Sequence, residues 1–171
     1  MATAININVL DVRTLNQAEI DLRTYIADLE EKANTLCDRL STIGAVRASL
    51  DFSRAIYNGV NDVEISVEAI QGGYAIHATG GAVLFIEFGS GATYGYGHPR
   101  PESYGPGTYP GKGHWDDPKG WWFPNSAVSA QGKTADAYTH SYGNPPAAAM
   151  YNAEQEVINR IEEVAREVFG Q

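Results

Sequence analysis

A long helical pattern of apolar residues dominates the first half of the chain. Apolar side chains recur at steps of three and four residues, which is the spacing of one face of an α-helix. The members of this stripe are Leu22, Tyr25, Ile26, Leu29, Ala33, Leu36, Leu40 and Ile43. Asn16, with Glu19 three residues later, fits the start of the helix, and Gly44 fits its end. We therefore predict a helix of about 25 residues or more, and residues 45–57 would suit a second short helix.

Alternating patterns on both sides of this helix predict β-strands. Residues 5–9 alternate between branched apolar side chains and asparagine, which predicts a short first strand. Residues 63–68 alternate in the same way, and residues 74–78 continue the pattern after a Gly-rich hairpin turn at residues 71–73. The nearly continuous apolar run of residues 82–88 fits a central strand. We therefore predict an antiparallel three-stranded meander over residues 62–88, within a sheet of three to four strands.

The end of the chain has the pattern of an amphipathic helix. Asn144 fits a helix cap, and Pro145 fits the first helical position, where a missing N–H is tolerated. The apolar face contains Met150, Val157, Ile161, Val164 and Val168, and the polar face contains Glu154, Glu156, Glu162, Glu163 and Glu167. The predicted fold is therefore α+β: a long N-terminal helix, an antiparallel sheet, a long loop and a C-terminal helix that closes over the sheet.

The composition divides the 171 residues into three parts of one predicted domain, 1–171. Residues 1–88 form an acidic framework of helix and sheet, residues 89–146 form an insert, and residues 147–171 form the last helix. The insert contains all 8 prolines, 11 of the 18 glycines, all 3 tryptophans and 6 of the 10 tyrosines. Its four acidic residues balance its four basic ones. A neutral aromatic insert of this kind differs from a disordered linker, which is poor in aromatic residues.

The charge and the cysteine content exclude several classes of protein. The net charge of −9 argues against binding to nucleic acid through phosphate contacts and against a polybasic membrane-surface protein. Cys37 is the single cysteine, so a disulfide within the chain and a thiolate zinc cluster are both excluded. The first residues lack the pattern of a signal peptide, and no stretch has the length of a membrane helix. We therefore expect no membrane association.

Aromatic residues of the insert are the candidate contact residues. Exposed aromatic side chains are unfavourable unless something covers them, and Tyr and Trp are enriched at protein interfaces. Packing within the same chain and contact with another subunit remain equally open on the sequence alone. The candidates are Tyr94, Tyr96, Tyr104, Tyr109, Trp115, Trp121, Trp122, Phe123, Tyr138 and Tyr142. Glu87 and Phe88, at the end of the last predicted strand, complete the set.

Candidate chemistry is sparse. His98, His114 and His140 lie in the insert near two aspartates, at residues 116 and 117, but their spacing matches no zinc motif. Residues 89–91 follow a predicted strand as a phosphate loop would, yet the lysine of that loop is missing. Glu87 is the single charge in an apolar run, and such a carboxylate is functional, paired with a basic group or turned to an edge. We therefore predict no catalytic residues, no metal and no cofactor.

Two segments of the chain resemble a phage protein family. The first is the strand-like FIEFGSG at residues 85–91, and the second is NPPAAAMYNA at residues 144–153, which opens the last helix. With the helix before Gly44 and the segment YNGVNDVEISVE, they resemble neck proteins of tailed double-stranded-DNA phages, also called tail-completion, head–tail connector or minor tail proteins. The N-terminal strand and the length of the insert depart from the family pattern.

The resemblance implies a structural virion protein rather than an enzyme. Such proteins form homo-oligomeric rings, here expected to hold 6 or 12 copies, between the portal end of the head and the tail. The implied partners are further copies of the chain, the connector or head-closure protein, and the tail tube or tail terminator protein. DNA would pass through without sequence-specific binding, and assembly would take place in the host cytoplasm. Trp115, Trp121 and Trp122 are the expected anchors of the contact.

Two alternatives remain open. A small enzyme or a carbohydrate-binding module could use the same aromatic loop, residues 89–146. Within the neck interpretation, Glu154, Glu162 and Glu163 would repel DNA if they lined the bore of a ring, or would form a solvated outer face.

Overall fold

The computed structural model describes residues 11–91, 94, 97–100, 117–124 and 138–170. Within these residues, three helices and two pairs of antiparallel strands follow one another along the chain. The helices are α1 (Val12–Ser53), α2 (Val83–Phe88) and α3 (Ala149–Phe169). The strands are β1 (Glu64–Ile70), β2 (Gly73–Thr79), β3 (Trp121–Pro124) and β4 (Tyr138–Ser141). The α+β class is confirmed, with two two-stranded antiparallel sheets in place of one larger sheet. The predicted first strand, residues 5–9, lies outside the described residues.

Helix α1 is one continuous helix of 42 residues. It begins after Asp11 and not at Asn16, because the Asp11 carboxylate accepts a hydrogen bond from the backbone N–H of Arg13 at 3.0 Å. The predicted stop at Gly44 is wrong, and residues 45–53 continue the same helix. A Cβ at position 44 would lie 2.6 Å from Ile76 Cδ1 and 2.9 Å from Val157 Cγ2. Gly44 is therefore required by close packing and does not mark a helix end.

Strands β1 and β2 form the predicted hairpin. Their register pairs Glu64 with Thr79 and closes with Ile70 opposite Gly73 around the predicted turn. Ile65 and Ala78 pack against the core that α1 contributes to. His77 points to solvent, as the alternation predicts for the polar face of the strand.

The prediction of a third strand over residues 82–88 is wrong, because residues 83–88 form helix α2. A short apolar run is compatible with a buried strand or a buried helix. Asp62 favours the helix, since its carboxylate accepts the N–H groups of Gly81 at 2.8 Å and Ala82 at 2.9 Å, just before the first turn. These two hydrogen bonds lower the pKa of Asp62 below its ordinary value.

Helix α3 lies antiparallel to the second half of α1. Asn152, near the start of α3, donates to Asp51 at 2.8 Å, while Glu167, near its end, pairs with Arg39. The core lies where these helices meet α2. Its buried members are Ala48, Phe52, Ala82, Ile86, Ala149 and Ala153. Among the described residues, no helix combines the length and the apolar content of a membrane span.

Candidate interaction surface

Glu87 joins α2 to the start of α3. The residue is 5% exposed, and its carboxylate accepts the backbone N–H groups of Met150 at 2.9 Å and Tyr151 at 3.2 Å. The first N–H groups of a helix have no partner within the helix. Because Ala148 precedes α3 and offers no capping side chain, Glu87 supplies the cap from a distant point in the sequence. A carboxylate at this helix end also interacts favourably with the helix dipole.

His98 holds Glu87 from the other side. The backbone N–H of Arg100 donates to His98 Nδ1 at 3.0 Å, so the ring presents its Nε2 proton to Glu87 Oε1 at 3.2 Å. The His98 ring lies against Phe88, with 4.5 Å between the ring centroids. Residues 97–100 are thereby fixed to the α2–α3 junction.

Ser90 and Asn144 form a second buried link at this junction. Their backbones pair in both directions, with N···O distances of 2.9 and 3.1 Å, and the Ser90 hydroxyl donates to the Asn144 side-chain oxygen. The predicted helix start at Asn144 is wrong because this side chain is used elsewhere: its amide donates to the carbonyl of Phe85 at 2.9 Å. Gly143 allows the close approach, since its φ is +104° and a Cβ there would lie 1.9 Å from the Ser90 carbonyl oxygen.

The two segments that carry the family resemblance therefore contact each other. Residues 85–91 supply Glu87 and Ser90, and residues 144–153 supply Asn144 and the first N–H groups of α3. Beside this junction lies an open cleft of about 410 Å³. Arg100, on the cleft wall, pairs with Glu154 at 2.9 Å and lies 5.2 Å from the centre of the Tyr151 ring. The charged groups of the cleft thus bind each other, which makes it a structural feature of the junction.

The hairpin of β3 and β4 divides the insert aromatics between two faces. Successive side chains of a strand point to opposite faces, and Trp121 is 9% exposed whereas Trp122 is 66% exposed. Trp121 lines a small apolar pocket of about 130 Å³ with Tyr57 and Phe85. Burial is the main cause that raises the pKa of Tyr57 above its ordinary value. The inner face of the hairpin is therefore fixed against the framework.

The outer face of the same hairpin carries an exposed aromatic cluster. Trp122 lies opposite His140 in the strand register, with 4.7 Å between the ring centroids, and His140 lies 4.6 Å from Tyr142. Tyr138 and Tyr142 are each about 60% exposed. We call Trp122, Tyr138, His140 and Tyr142 the aromatic surface. Large aromatic residues that are exposed side by side are typical of a contact site.

The remaining predicted contact residues occupy different environments. Glu87, Phe88 and Trp121 are buried within the chain, and Phe123 is half-buried. Tyr94 is exposed, outside the hairpin. The other four, Tyr96, Tyr104, Tyr109 and Trp115, lie outside the described residues. The sequence interpretation missed His140 as an aromatic neighbour, although its alternation with Tyr138 and Tyr142 is the pattern of one strand face.

Two of the histidines that raised the question of a metal site, His98 and His140, have different neighbours. His98 faces Glu87, and His140 lies between Trp122 and Tyr142. Within the described ranges, no group of three candidate ligands comes together. Asp117 accepts the backbone N–H of Lys119 at 2.8 Å and closes a turn, while residues 114 and 116 lie outside these ranges.

The acidic face of α3 is balanced by arginines. Glu154 pairs with Arg100, Glu162 with Arg166, and Glu163 with Arg160. These ion pairs weaken the repulsion between the three glutamates and DNA, and they favour the interpretation of this side of α3 as a solvated outer face.

Comparison with known proteins found no match: no family model, no curated protein and no solved structure matches the chain. The functional interpretation therefore depends on the aromatic surface and on the resemblance of the two junction segments.

Proposed function

We propose that this chain is a structural subunit of the neck of a tailed phage, where copies of it form a ring between the head and the tail. Its partners would be further copies of the chain, the connector or head-closure protein on one side, and the tail tube or terminator protein on the other. DNA would pass through the ring without sequence-specific contacts. The chain would act by binding neighbours and not by catalysis.

The aromatic surface is the observation that carries this proposal. Its outer face exposes Trp122, Tyr138 and Tyr142 together, while Trp121 anchors the inner face of the same hairpin. A contact site that is rigid before binding loses little conformational entropy when it binds. The buried hydrogen bonds between Ser90 and Asn144 lie next to this hairpin. The hydroxyl of Ser141, in β4, accepts the backbone N–H of Gly143 at 3.1 Å and so links the hairpin to this buried pair.

A phage that lacks this gene provides the test. We expect such a phage to accumulate DNA-filled heads and separate tails, visible by electron microscopy. Wild-type protein supplied in the host should restore complete particles, whereas the double variant Trp122→Ala/Tyr142→Ala should not. Val60→Ala, which also shortens an exposed apolar side chain, is the matched control and should restore them. Complete infectious particles made without the protein would exclude the neck function.

Carbohydrate binding is the second candidate, because an exposed indole such as Trp122 can stack on a sugar ring as well as on a protein. Titration with a panel of oligosaccharides, followed by tryptophan fluorescence, separates the two functions. The neck proposal expects no saturable change. A saturable change in the wild type that disappears in Trp122→Ala would support the carbohydrate-binding module instead.

A further inference from the structure

Strand β1 has an open edge. It pairs with β2, and among the described residues no further strand lies on its other side. Six of its seven residues are exposed, with Ile65 as the exception, whereas most residues of β2 are half-buried. The strand contains no lysine and no proline, and its pairing with β2 has no bulge. Those are the features that commonly protect an edge, and without them an edge can accept another strand.

The register of the hairpin determines which backbone groups point out of this edge. The turn of two residues makes Ile70 and Gly73 a hydrogen-bonded pair, and such pairs alternate with non-bonded ones along an antiparallel ladder. Ile65, Val67 and Ala69 therefore direct their N–H and C=O groups away from β2. Val67 is 41% exposed and lies on the same face as Ile65, which packs on the core. An added strand would find hydrogen-bonding groups and apolar surface together.

The start of the chain has the sequence of such a strand. Branched apolar side chains alternate with asparagines over residues 5–9, so one face of the strand would be apolar and the other polar. Residues 2–10 carry no charged side chain. Strand β1 is acidic, with Glu64 and Glu68 on its outer face. A neutral strand with asparagines on that face avoids the repulsion that like charges cause between neighbouring strands.

Residues 5–9 cannot reach β1 of their own chain. Val12 and Gly44 lie on one helix, 32 positions or about 48 Å apart. Ile76 packs on Gly44 and lies opposite Val67 in the hairpin, so Val67 is at least about 35 Å from Val12. A fully extended chain from Val12 back to Ile5 spans at most about 25 Å. The two partners of this pairing therefore belong to different copies.

The first half of α1 carries residues 5–9 away from the strands of its own chain. Arg39 of α1 pairs with Glu167 near the end of α3, so residues 12–31, about 30 Å of helix, run past the end of α3. Strand β4 is no nearer than β1, since its Ser141 bonds to Asn58, after the far end of α1. A strand at the end of such a projecting helix is placed to meet a neighbouring copy.

We propose that residues 5–9 of one copy add to the edge of β1 in the next copy as an antiparallel third strand. The antiparallel direction fits because such sheets commonly leave one face in water, as β1 does. Each copy then gives a strand on one side and receives one on the other. This head-to-tail contact can close into a ring. The inference goes beyond the neck function and does not rest on it, since any cyclic assembly of this chain would satisfy it.

The hydrophobic pattern selects the register of the added strand. With Ile7 opposite Val67, all three apolar side chains of residues 5–9 fall on the apolar face and within the length of β1. A shift by one residue would place them on the acidic face. The five pairs are Ile5–Ala69, Asn6–Glu68, Ile7–Val67, Asn8–Ser66 and Val9–Ile65.

A double cysteine variant tests the pairing. Asn8 and Ser66 form a non-hydrogen-bonded pair in this register, and the short Cα separation of such pairs, about 4.5 Å, suits a disulfide. In a Cys37→Ser background, oxidised Asn8→Cys/Ser66→Cys should give a ladder of linked copies on a non-reducing gel. Asn8→Cys/Thr79→Cys is the control and should give little product, because Thr79 is exposed on β2, one strand further away.

The size of the linked products distinguishes the possible arrangements. A ladder beyond two copies is expected for head-to-tail addition. A disulfide within one chain would mean that the segment reaches its own hairpin and would overturn the proposal. Products that stop at two copies would indicate reciprocal exchange within a closed pair, and they would overturn it as well. Absence of any disulfide product would have the same consequence.

Proline substitutions test the backbone hydrogen bonds of the added strand. Ile7 and Val67 would each donate an N–H across the new pair, and proline has none. Ile7→Pro and Val67→Pro should each weaken self-association about tenfold in sedimentation equilibrium. Thr3→Pro is the matched control, because in this register residue 3 lies beyond the end of β1, and it should leave association unchanged.

The two proline variants also separate strand addition from loss of the fold. The N–H of Val67 points away from β2, so Val67→Pro keeps the hydrogen bonds of the hairpin, and its far-UV circular dichroism should match the wild type. Ile7→Pro alters the added strand alone and stays informative if Val67→Pro disturbs β1. Unchanged association in Ile7→Pro, or a wild type that is monomeric at every concentration, would overturn the proposal. Neither result bears on the phage complementation test, so the two proposals can fail separately.

Discussion

The α2–α3 junction and the aromatic surface both contain residues from the edges of the Gly/Pro-rich insert, but the junction buries its polar side chains and the aromatic surface exposes its aromatic ones. At the junction every charged or polar group that the structure places inside is bound by another group of the chain, as with Glu87, Ser90 and Asn144. On the aromatic surface, Trp122 and Tyr142 remain in solvent. The same part of the sequence therefore stabilises the fold at the α2–α3 junction and forms a candidate binding site at the aromatic surface.

The difference follows from what each residue finds within reach. A buried charge is tolerated only when donors surround it, so Glu87 requires the start of α3 and His98 together. An exposed aromatic side chain needs no hydrogen-bond donors around it and remains available for binding another molecule. Substitutions at the junction should therefore change the free energy of unfolding, and substitutions on the aromatic surface should change binding.

Replacing Glu87 should have one of the two largest effects on stability. Glu87→Ala leaves the N–H groups of Met150 and Tyr151 and the His98 ring without their acceptor. We expect the free energy of unfolding to fall by about 3–5 kcal/mol, measured by urea denaturation. Glu64→Ala removes an exposed carboxylate on β1 and should change it by less than about 0.5 kcal/mol. Equal effects of the two variants would show that Glu87 is not the cap of α3.

The two adjacent tryptophans should separate stability from binding most directly. Trp121→Ala removes a buried side chain and should lower the free energy of unfolding by about 3–5 kcal/mol. Trp122→Ala should change it by less than about 1 kcal/mol, while abolishing the contact that the aromatic surface makes. A large loss of stability in Trp122→Ala would place that side chain within the core and remove it from the proposed surface.

Gly143 tests the close approach of Ser90 and Asn144. Gly143→Ala would place a Cβ on a residue with a positive φ and within 1.9 Å of the carbonyl oxygen of Ser90. We therefore expect the free energy of unfolding to fall by about 2–4 kcal/mol. Gly72→Ala is the matched control, because Gly72 also has a positive φ but open space around it. It should lose only about 1 kcal/mol. Equal losses would mean that backbone strain alone, without the contact, explains Gly143.

Asp62 should give the smallest effect, and one that depends on pH. Its folded pKa is lowered by the N–H groups of Gly81 and Ala82, so its stabilising contribution is complete above the unfolded pKa of about 4. This contribution is lost as the pH falls through the folded pKa, because protonation removes the charge that the N–H groups bind. Asp62→Asn should therefore lower stability at pH 7, and its difference from the wild type should shrink towards pH 2. A difference that is constant from pH 7 to pH 2 would show that the charge of Asp62 does not matter.

The regular elements were accessible from the sequence where one local pattern decided them. The stripe from Leu22 to Ile43 predicted a helix, the alternation on both sides of Gly72 predicted the hairpin, and the spacing of Val157 to Val168 predicted the last helix. Element ends were predicted less well. Gly44 and Asn144 carry the usual signals of a helix end and a helix start, yet one serves helix packing and the other a buried hydrogen-bond pair.

Residue type and near-neighbour spacing were sufficient to predict the α+β class and the helical and hairpin periodicities, and they placed most aromatic residues in the insert. Contacts between distant parts of the chain were needed to show that residues 83–88 form a helix, that Glu87 caps a helix 63 residues away, and that Trp121 turns inward while Trp122 turns outward. These outcomes depend on which distant groups lie within hydrogen-bonding or packing distance. A local pattern contains no record of those distances, so only the folded chain specifies them.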